Sequence, residues 1–273
     1  MTGCVLCGGV VGPDGYCWDC GRAQPAFRSY LEITADCGAA GVSDRGRRRG
    51  VNADAMALAT VGTWTIGVVC DGVSLSPRPE RAAQVAADTG VTAVVAGLRR
   101  GVLPEVALTD AAIRAARAVT ALAPSVHAAP ASTYVVGIAG PDGIWASWIG
   151  DSRAYWLPDT GPGMVLTEDD TGDHDVLAAW LGADAGEPAP RIRSHRPPGP
   201  GRLLLCTDGL WRYLADADSL RAQIPHRSHS TPPATGGLLQ DARSLVRHAL
   251  DAGGHDNITA LLIPVRWNTQ RER

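Results

Sequence analysis

The sequence contains no lysine, so its 25 basic residues are all arginine. They stand against 28 acidic residues, which leaves a formal net charge of only −3 at pH 7. A surface for nucleic acid or membranes usually shows a strong excess of positive charge, and the single dense basic cluster here is residues 45–49. We therefore expect neither nucleic acid nor a membrane as a partner, but a neutral or small acidic one.

Long apolar runs are also missing. No segment approaches the roughly 18 to 20 consecutive apolar residues that span a bilayer. The opening residues, MTGCVLCGG, lack the charged start and apolar stretch of a secretory signal. These features predict a cytoplasmic protein. At 273 residues the chain is long enough for one large domain, of roughly 200 to 250 residues, and a small appendage.

Cysteine is unevenly distributed. Four of the seven cysteines lie in the first 20 residues, as Cys4-Val-Leu-Cys7 and Cys17-Trp-Asp-Cys20, and a glycine follows each pair. Each pair brings two thiolates within reach of one ion, which suits a reducing compartment better than a disulfide framework. The spacing predicts a zinc ribbon over residues 1–24 that holds one structural Zn. A redox dithiol pair is the competing interpretation, although no βαβ pattern surrounds the cysteines.

The remaining chain divides into a linker at 25–31, a main domain at 32–266 and a polar tail at 267–273. Within the main domain, a segment rich in Pro, His and Ser at 224–236 predicts a flexible loop. Apolar residues recur at helical spacing in the segments 80–99, 104–122 and 238–252. A further helix is predicted at 173–181. Clustered strands with pairs of helices, rather than strict βαβ alternation, favour an α+β sandwich.

Three aspartates stand at the ends of predicted strands. Asp71 closes the run TIGVVCDG, Asp208 closes LLLCTDGL, and Asp256 precedes the apolar strand of GGHDNITALLI. An unpaired charge at the mouth of a buried strand is costly, so such a residue usually serves as a ligand. If these strand ends meet, the three carboxylates suit a hard divalent cation such as Mg or Mn.

Two further motifs have an ordinary and a functional interpretation. The segment SDRGRRRGVNAD at 43–54 is ordinarily a solvated turn, but a phosphate held beside metal ions favours a guanidinium fork. Asp151, in the tight turn Gly-Asp-Ser-Arg, is ordinarily a turn former. Its turn leaves a further role open.

Taken in order, six motifs resemble the bacterial PPM, or type 2C, metal-dependent protein serine/threonine phosphatases. They are SDRGRRRGVNAD, the DG of VVCDG, STYVVG, GDSRAY, LLLCTDGLW and GGHDNIT. The resemblance implies a four-layer α-β-β-α sandwich of two antiparallel sheets flanked by helix pairs. It also implies hydrolysis of phosphoserine and phosphothreonine on protein substrates, which would reverse the work of a Hanks-type kinase.

The resemblance assigns roles to individual residues. Five positions match the family's metal ligands: Asp71, Gly72, Asp151, Asp208 and Asp256. By this match Asp71 bridges two Mn or Mg ions, and Asp151 holds a third. Arg49 matches the phosphate-binding arginine, and Asp54 the partner of the metal-bound water that attacks phosphorus. Asn257 is expected to orient the aspartate before it.

The sequence also departs from the family pattern in four places. Ala53 replaces an acidic residue, residues 73–76 replace a glycine-rich loop, no histidine follows the DG pair, and residues 167–171 differ from the usual Thr-x-Asp-His-Ser. Ala53 keeps open a second hypothesis, a catalytically weak relative that binds phosphoproteins or acts as a scaffold through its ribbon. A ribbon that binds nucleic acid is a third hypothesis, but it requires a basic face that the composition does not supply.

Overall fold

The computed structural model describes residues 3–12, 15–22, 24, 28–224 and 237–266. The predicted tail at 267–273, most of the predicted loop at 224–236 and part of the predicted linker at 25–31 lie outside the described residues. Within the described residues, no helix combines the length and the apolar character that crossing a membrane requires.

Five α-helices and thirteen β-strands form in this part of the chain. The helices are α1 (Pro79–Arg99), α2 (Pro104–Thr120), α3 (Asp208–Trp211), α4 (Ala217–Ala222) and α5 (Gly237–Asp251). The strands are β1 (Tyr30–Thr34), β2 (Ala40–Asp44), β3 (Asp54–Val61), β4 (Trp64–Asp71), β5 (Ala131–Ser132), β6 (Tyr134–Gly140), β7 (Gly143–Ile149), β8 (Arg153–Pro158), β9 (Met164–Val165), β10 (Leu181–Gly182), β11 (Arg191–His195), β12 (Gly201–Cys206) and β13 (Ile258–Val265).

The strands form two antiparallel sheets that pack face to face. The five-stranded sheet has the order β11-β7-β6-β4-β3, the six-stranded sheet has the order β1-β2-β13-β12-β8-β9, and β5 pairs with β10 beside them. Helices α1 and α2 cover the first sheet, whereas α5 and the short helices α3 and α4 cover the second. The predicted α+β, four-layer α-β-β-α architecture is confirmed, although α5 is the single long helix on its side among the described residues.

The position of strand β4 in the fold explains why its sequence is apolar almost without interruption. Ile66 and Val68 point into the core beneath α1 and α2, whereas Val69 points into the core between the two sheets. Gly67 lies where a Cβ would approach Leu261 of the facing sheet to 2.6 Å. Both faces of the strand are therefore buried, and its end is held rigidly at the edge of the sandwich.

The predicted helix at 173–181 is wrong. Only a single 3-10 turn, Asp173–Asp175, forms there, and His174 within it has a left-handed φ of 60°. The backbone beyond it bonds back to the preceding segment, because Ala178 N donates to Asp170 O at 2.8 Å. Leu181 then enters the core beside α2 as part of strand β10. Tertiary packing has overridden a local helical pattern.

A buried tyrosine provides a test of the packing between α1 and the first sheet. The Tyr134 hydroxyl is buried and has no hydrogen-bond partner among the described residues. We expect Tyr134→Phe to raise the free energy of unfolding by about 1 kcal/mol, because the variant no longer buries an unsatisfied hydroxyl. Urea denaturation of the wild type and the variant measures this change.

Tyr155→Phe is the matched control. The Tyr155 hydroxyl is also buried, but it donates to Ala215 O at 3.0 Å and accepts a bond from Arg153 Nη1 at 3.2 Å. Its removal should lower stability, because both partners lose a hydrogen bond. Equal destabilisation by the two substitutions would contradict the assignment of Tyr134 as unsatisfied.

Candidate metal centre

Four carboxylates from separate parts of the chain line one cavity of about 670 Å³ at an edge of the sandwich. They are Asp71, Asp151, Asp208 and Asp256. Asp71 ends β4 in one sheet, and Asp151 lies in the turn between β7 and β8. Asp208 begins α3 directly after β12, and Asp256 lies just before β13, in the other sheet. The sandwich thus brings together residues that the sequence predicted as ligands.

Burial and mutual repulsion both disfavour the charged forms of these carboxylates. Burial, followed by the charges of Asp54 and Asp208, raises the pKa of Asp71 well above its ordinary value. Burial and the charge of Asp208 raise the pKa of Asp151 to about 6. Burial also raises the pKa of Asp208, and the charge of Asp256 adds to the effect. A cluster of this kind favours a bound cation, which offsets the repulsion.

Asp54 lies behind the cavity rather than on its surface. It pairs with Asp71 across strands β3 and β4 and is only 2% exposed. Its Oδ2 atom accepts hydrogen bonds from Thr207 Oγ1 at 2.8 Å and Thr259 Oγ1 at 2.7 Å. Burial raises the pKa of Asp54 to about 7. Two threonines therefore fix the orientation of this carboxyl group.

The aspartates suit a divalent cation because two of their carboxylate oxygens have no hydrogen-bond partner among the described residues. Oδ1 of Asp54 and Oδ1 of Asp208 are buried and accept no hydrogen bond from the described residues. Carboxylate oxygens of this kind are the ligands that Mg and Mn prefer. Among the described residues, the four cysteines are the one group of three or more ligand side chains whose ligand atoms all lie within 4.8 Å of one another, so the aspartates form a less compact cluster.

Gly72 follows Asp71 at a point where no side chain fits. A Cβ at this position would lie 2.4 Å from the Pro79 carbonyl oxygen at the start of α1. The Asp71 backbone is fixed as well, because its carbonyl accepts bonds from Thr133 N at 2.8 Å and Ser132 Oγ at 3.0 Å. The Asp-Gly pair is thus held between β5, β6 and α1.

Arg49 and Asn257 both donate hydrogen bonds to Asp256. Arg49 donates two hydrogen bonds to the Asp256 carboxylate, from Nε at 2.7 Å and from Nη2 at 2.5 Å. The backbone N–H of Asn257 donates to Asp256 Oδ1 at 2.8 Å. The Asn257 side chain bonds Arg45 O, Val51 O and Ala53 N instead, at 2.8 to 3.0 Å. It therefore fixes the arginine-rich loop against the start of β13.

The segment that departs from the family pattern at 167–171 supports the Asp151 turn. Asp169 accepts two hydrogen bonds from Arg153, at 2.9 and 2.8 Å, and Asp170 accepts one from Gly150 N at 2.9 Å. The Arg153 guanidinium lies 3.7 Å from the centre of the Trp211 ring, whose Nε1 donates to Asp151 O at 2.8 Å. Asp169 and Asp170 also form ion pairs, with Arg153 and Arg191 respectively.

Sequence reasoning missed several residues of the cavity. Thr133, Leu177, Arg212, Tyr213 and His255 line it together with the aspartates. Three of them lie inside or beside motifs that were identified for other reasons, in STYVVG, LLLCTDGLW and GGHDNIT. Their positions relative to the cavity depend on strand pairing, which the motifs do not reveal.

The four predicted zinc ligands form a compact cluster. Cys4 Sγ lies 3.7 Å from Cys20 Sγ, and Cys7 Sγ lies 3.5 Å from Cys17 Sγ. Four sulfurs around Zn at about 2.3 Å would be separated by about 3.8 Å, so the cluster fits a tetrahedral ion. Backbone N–H groups lower the pKa of Cys4 to about 6, which favours the thiolate that binds metal.

The segment after the ribbon contacts the main domain. Arg28 donates a hydrogen bond from Nη1 to Gln84 of α1. Its carbonyl accepts a bond from Asn52 Nδ2 at 3.2 Å, and the Asn52 side chain also contacts Ser43 at 2.9 Å. The ribbon is thus followed directly by a segment that touches the loop carrying Arg49.

The fold and the cavity define an α-β-β-α sandwich with a cluster of carboxylates at one edge. Residues 44–241 match the sequence profile of the family described as protein phosphatase 2C. The chain belongs to the protein phosphatase 2C family, and the resemblance noted in its sequence is confirmed.

Two curated relatives support this assignment. The chain is similar to proteins described as putative protein phosphatases from Mycoplasma pneumoniae, with 28% identity over 159 residues, and from Mycoplasma genitalium, with 29% identity over 162 residues. Each alignment covers 50% of this chain, and 58% and 57% of the respective relatives. The chain therefore spans less than two thirds of the length of these proteins.

Solved structures share the fold over most of the chain. The serine/threonine phosphatase Stp1 from Staphylococcus aureus has a TM-score of 0.68 at 19% identity, and the alignment covers 85% of this chain and 96% of Stp1. The PPM Ser-Thr phosphatase MsPP from Mycobacterium smegmatis, in complex with cacodylate, has a TM-score of 0.58 at 24% identity over 84% of this chain and 98% of MsPP.

Proposed function

We propose that this chain is a metal-dependent protein serine/threonine phosphatase. The observation that carries the proposal is the cavity in which four aspartates from separate segments meet, within a chain of the protein phosphatase 2C family. The names of the neighbours in Staphylococcus aureus and Mycobacterium smegmatis, both serine/threonine phosphatases, support the same substrate class.

The proposed cofactors are two Mn or Mg ions. Asp71 and the Gly72 carbonyl would hold them together with Asp208 and Asp256, and Asp151 would hold a third. When bound, such ions offset charge on the phosphoryl oxygens and make water a nucleophile near neutral pH. Oδ1 of Asp54 accepts no hydrogen bond from the described residues, and we propose that it would accept one from the attacking water.

Arg49 is proposed to bind the phosphate. Its planar guanidinium already makes a two-point contact with the Asp256 carboxylate, and a phosphate presents oxygens in a similar geometry. We propose that the phosphate takes the place of Asp256 on Arg49 when Asp256 binds metal. Arg212 and His255 line the same cavity.

The proposed domain organisation is a zinc ribbon at 1–24, a linker at 25–31, the phosphatase domain at 32–266 and a tail at 267–273. One Zn at Cys4, Cys7, Cys17 and Cys20 is proposed as structural. The proposed substrates are proteins phosphorylated on serine or threonine by a Hanks-type kinase. A cytoplasmic location, as expected from the sequence, completes this proposal.

Hydrolysis assays on the full chain test the proposed activity. We expect turnover of p-nitrophenyl phosphate and of a phosphothreonine peptide with Mn or Mg, and none with chelator, because the ions supply the charge stabilisation. The alternative function, phosphoprotein binding without efficient turnover, is favoured by Ala53. It would be supported by folded protein that binds a phosphothreonine peptide and hydrolyses neither compound.

A further inference from the structure

The loop that follows Asp71 and Gly72 forms a fixed turn at the rim of the catalytic cavity. Ser76 N donates to Val73 O at 2.8 Å, which closes a four-residue turn with Leu75 at its third position. Val73 N donates to Ala131 O at 2.9 Å, and Ser76 Oγ accepts a bond from Ala131 N at 3.0 Å. Both ends of the turn are therefore attached to strand β5.

This turn carries the most exposed large apolar side chain of the described residues. Leu75 is 99% exposed, whereas its neighbours Val73 and Ser74 line the cavity itself. Leu177 lines the same cavity, and the adjacent Val176 is 64% exposed. An isolated surface leucine requires no explanation. Leu75 differs because hydrogen bonds attach its turn to strand β5 and because the same turn continues into the cavity wall.

We propose that Leu75 is a docking contact for the protein substrate. The substrate would place a large apolar side chain against Leu75, and this side chain would lie within a few residues of the phosphorylated residue. The inference rests on the proposed phosphatase function and adds a sequence preference to it. The turn at 73–76 has no charged side chain, so an apolar residue gains more from this contact than an acidic one. A turn that is already fixed loses little conformational entropy when it binds.

The test compares phosphothreonine peptides of one length that differ at the three positions on either side of the phosphoresidue. Leucine, aspartate or serine is placed at each position in turn, and kcat/KM is measured with Mn and referred to that for p-nitrophenyl phosphate. We expect the best leucine peptide to exceed its serine counterpart about tenfold, which corresponds to partial burial of one leucine side chain. Leu75→Ser should reduce this ratio to about one.

Leu103→Ser is the matched control. Leu103 is also a large exposed apolar residue, with 68% exposure, but it precedes α2 near the C-terminal end of α1. Helix α1 has 21 residues and starts beside Gly72, so this position is about 30 Å along the helix from the cavity. The leucine preference should remain in this variant. Loss of the leucine preference in both variants would indicate a general change in the protein and would overturn the proposal.

Binding gives a second readout that is independent of turnover. Fluorescence anisotropy with peptides that carry the phosphonate analogue of phosphothreonine should show the same leucine preference in the wild type and its loss in Leu75→Ser. Protein that hydrolyses neither compound, but binds with this preference, would refute the proposed activity and retain the docking site. Hydrolysis without any preference for leucine, or a stronger preference for aspartate, would refute the docking site alone. If Leu75→Ser changed the sedimentation of the protein without changing its peptide preference, the surface around Leu75 would be assigned to contact with a second copy of the chain.

Discussion

Asp208→Asn should reduce metal-dependent hydrolysis of p-nitrophenyl phosphate by about 10³-fold. The substitution keeps the shape of the side chain but removes one ligand charge from the cavity, and metal ions provide several kcal/mol of transition-state stabilisation. Oδ1 of Asp208 is an acceptor that no described residue satisfies. Steady-state kinetics over a series of Mn concentrations measures the loss, and excess Mn should restore only part of the activity.

The same variant has an opposite expected effect on stability in chelator. A raised pKa for Asp208 means that its ionised form opposes folding at neutral pH. Removal of the charge should therefore raise the melting temperature of the metal-free protein, while the increase that Mn produces in the wild type becomes smaller. A lower melting temperature in chelator, together with full activity in Mn, would contradict the assignment of Asp208 as a ligand.

Asp110→Asn is the control for both effects. Asp110 and Asp208 each form an ion pair with the arginine four residues later, Arg114 and Arg212, with Nε to Oδ2 distances of 2.7 and 2.8 Å. Asp110 lies on α2, outside the cavity. Since an exposed pair of this kind contributes only about 0.3 to 0.5 kcal/mol, Asp110→Asn should leave hydrolysis and the Mn-dependent melting temperature nearly unchanged.

Cys17→Ser should release the zinc and unfold the ribbon. Cys17 is 1% exposed and its sulfur lies in a cluster whose spacing matches a Zn–S₄ tetrahedron. So small a unit takes most of its folding free energy from the metal. Elemental analysis of the purified full chain should give about one zinc per wild-type chain and almost none in the variant. Cys37→Ser, at a half-buried cysteine outside the ribbon, should retain the zinc.

The activity of the Cys17→Ser variant distinguishes two relations between the ribbon and the catalytic domain. No described residue of the ribbon lines the cavity, so hydrolysis of p-nitrophenyl phosphate should persist. The hydrogen bond from Asn52 to the Arg28 carbonyl provides a route for coupling. Loss of activity together with the zinc would show that the ribbon stabilises the loop that carries Arg49. Retention of zinc in the variant would refute the four-cysteine site.

Local sequence patterns were sufficient for much of the fold. The continuous apolar run of β4 predicted a buried strand because both of its faces lie in cores. The helical periodicity of α1 and α2 gave their positions, since one face of each packs on the sheet. The helix predicted at residues 173–181 does not form, because backbone bonds to the preceding segment replace the helical ones. A pattern of apolar residues shows which residues tend to be buried, but it does not show which residues they pack against.

The sequence by itself determined the two sets of candidate ligands. The spacing of Cys4, Cys7, Cys17 and Cys20 is short enough that the backbone brings the sulfurs together without help from distant elements. The aspartates were recognisable individually, because a charge at the end of a buried strand requires a partner.

Only the tertiary structure decided how those aspartates and their supports are arranged. Strand pairing placed Asp54 opposite Asp71, and packing of the two sheets brought the ends of β4, β12 and β13 to one cavity. The backbone N–H of Asn257 donates to Asp256, and its side chain holds the loop at 45–53, more than 200 residues earlier. Such contacts depend on the closure of long loops, whose partners are selected by the burial of the whole core rather than by local sequence.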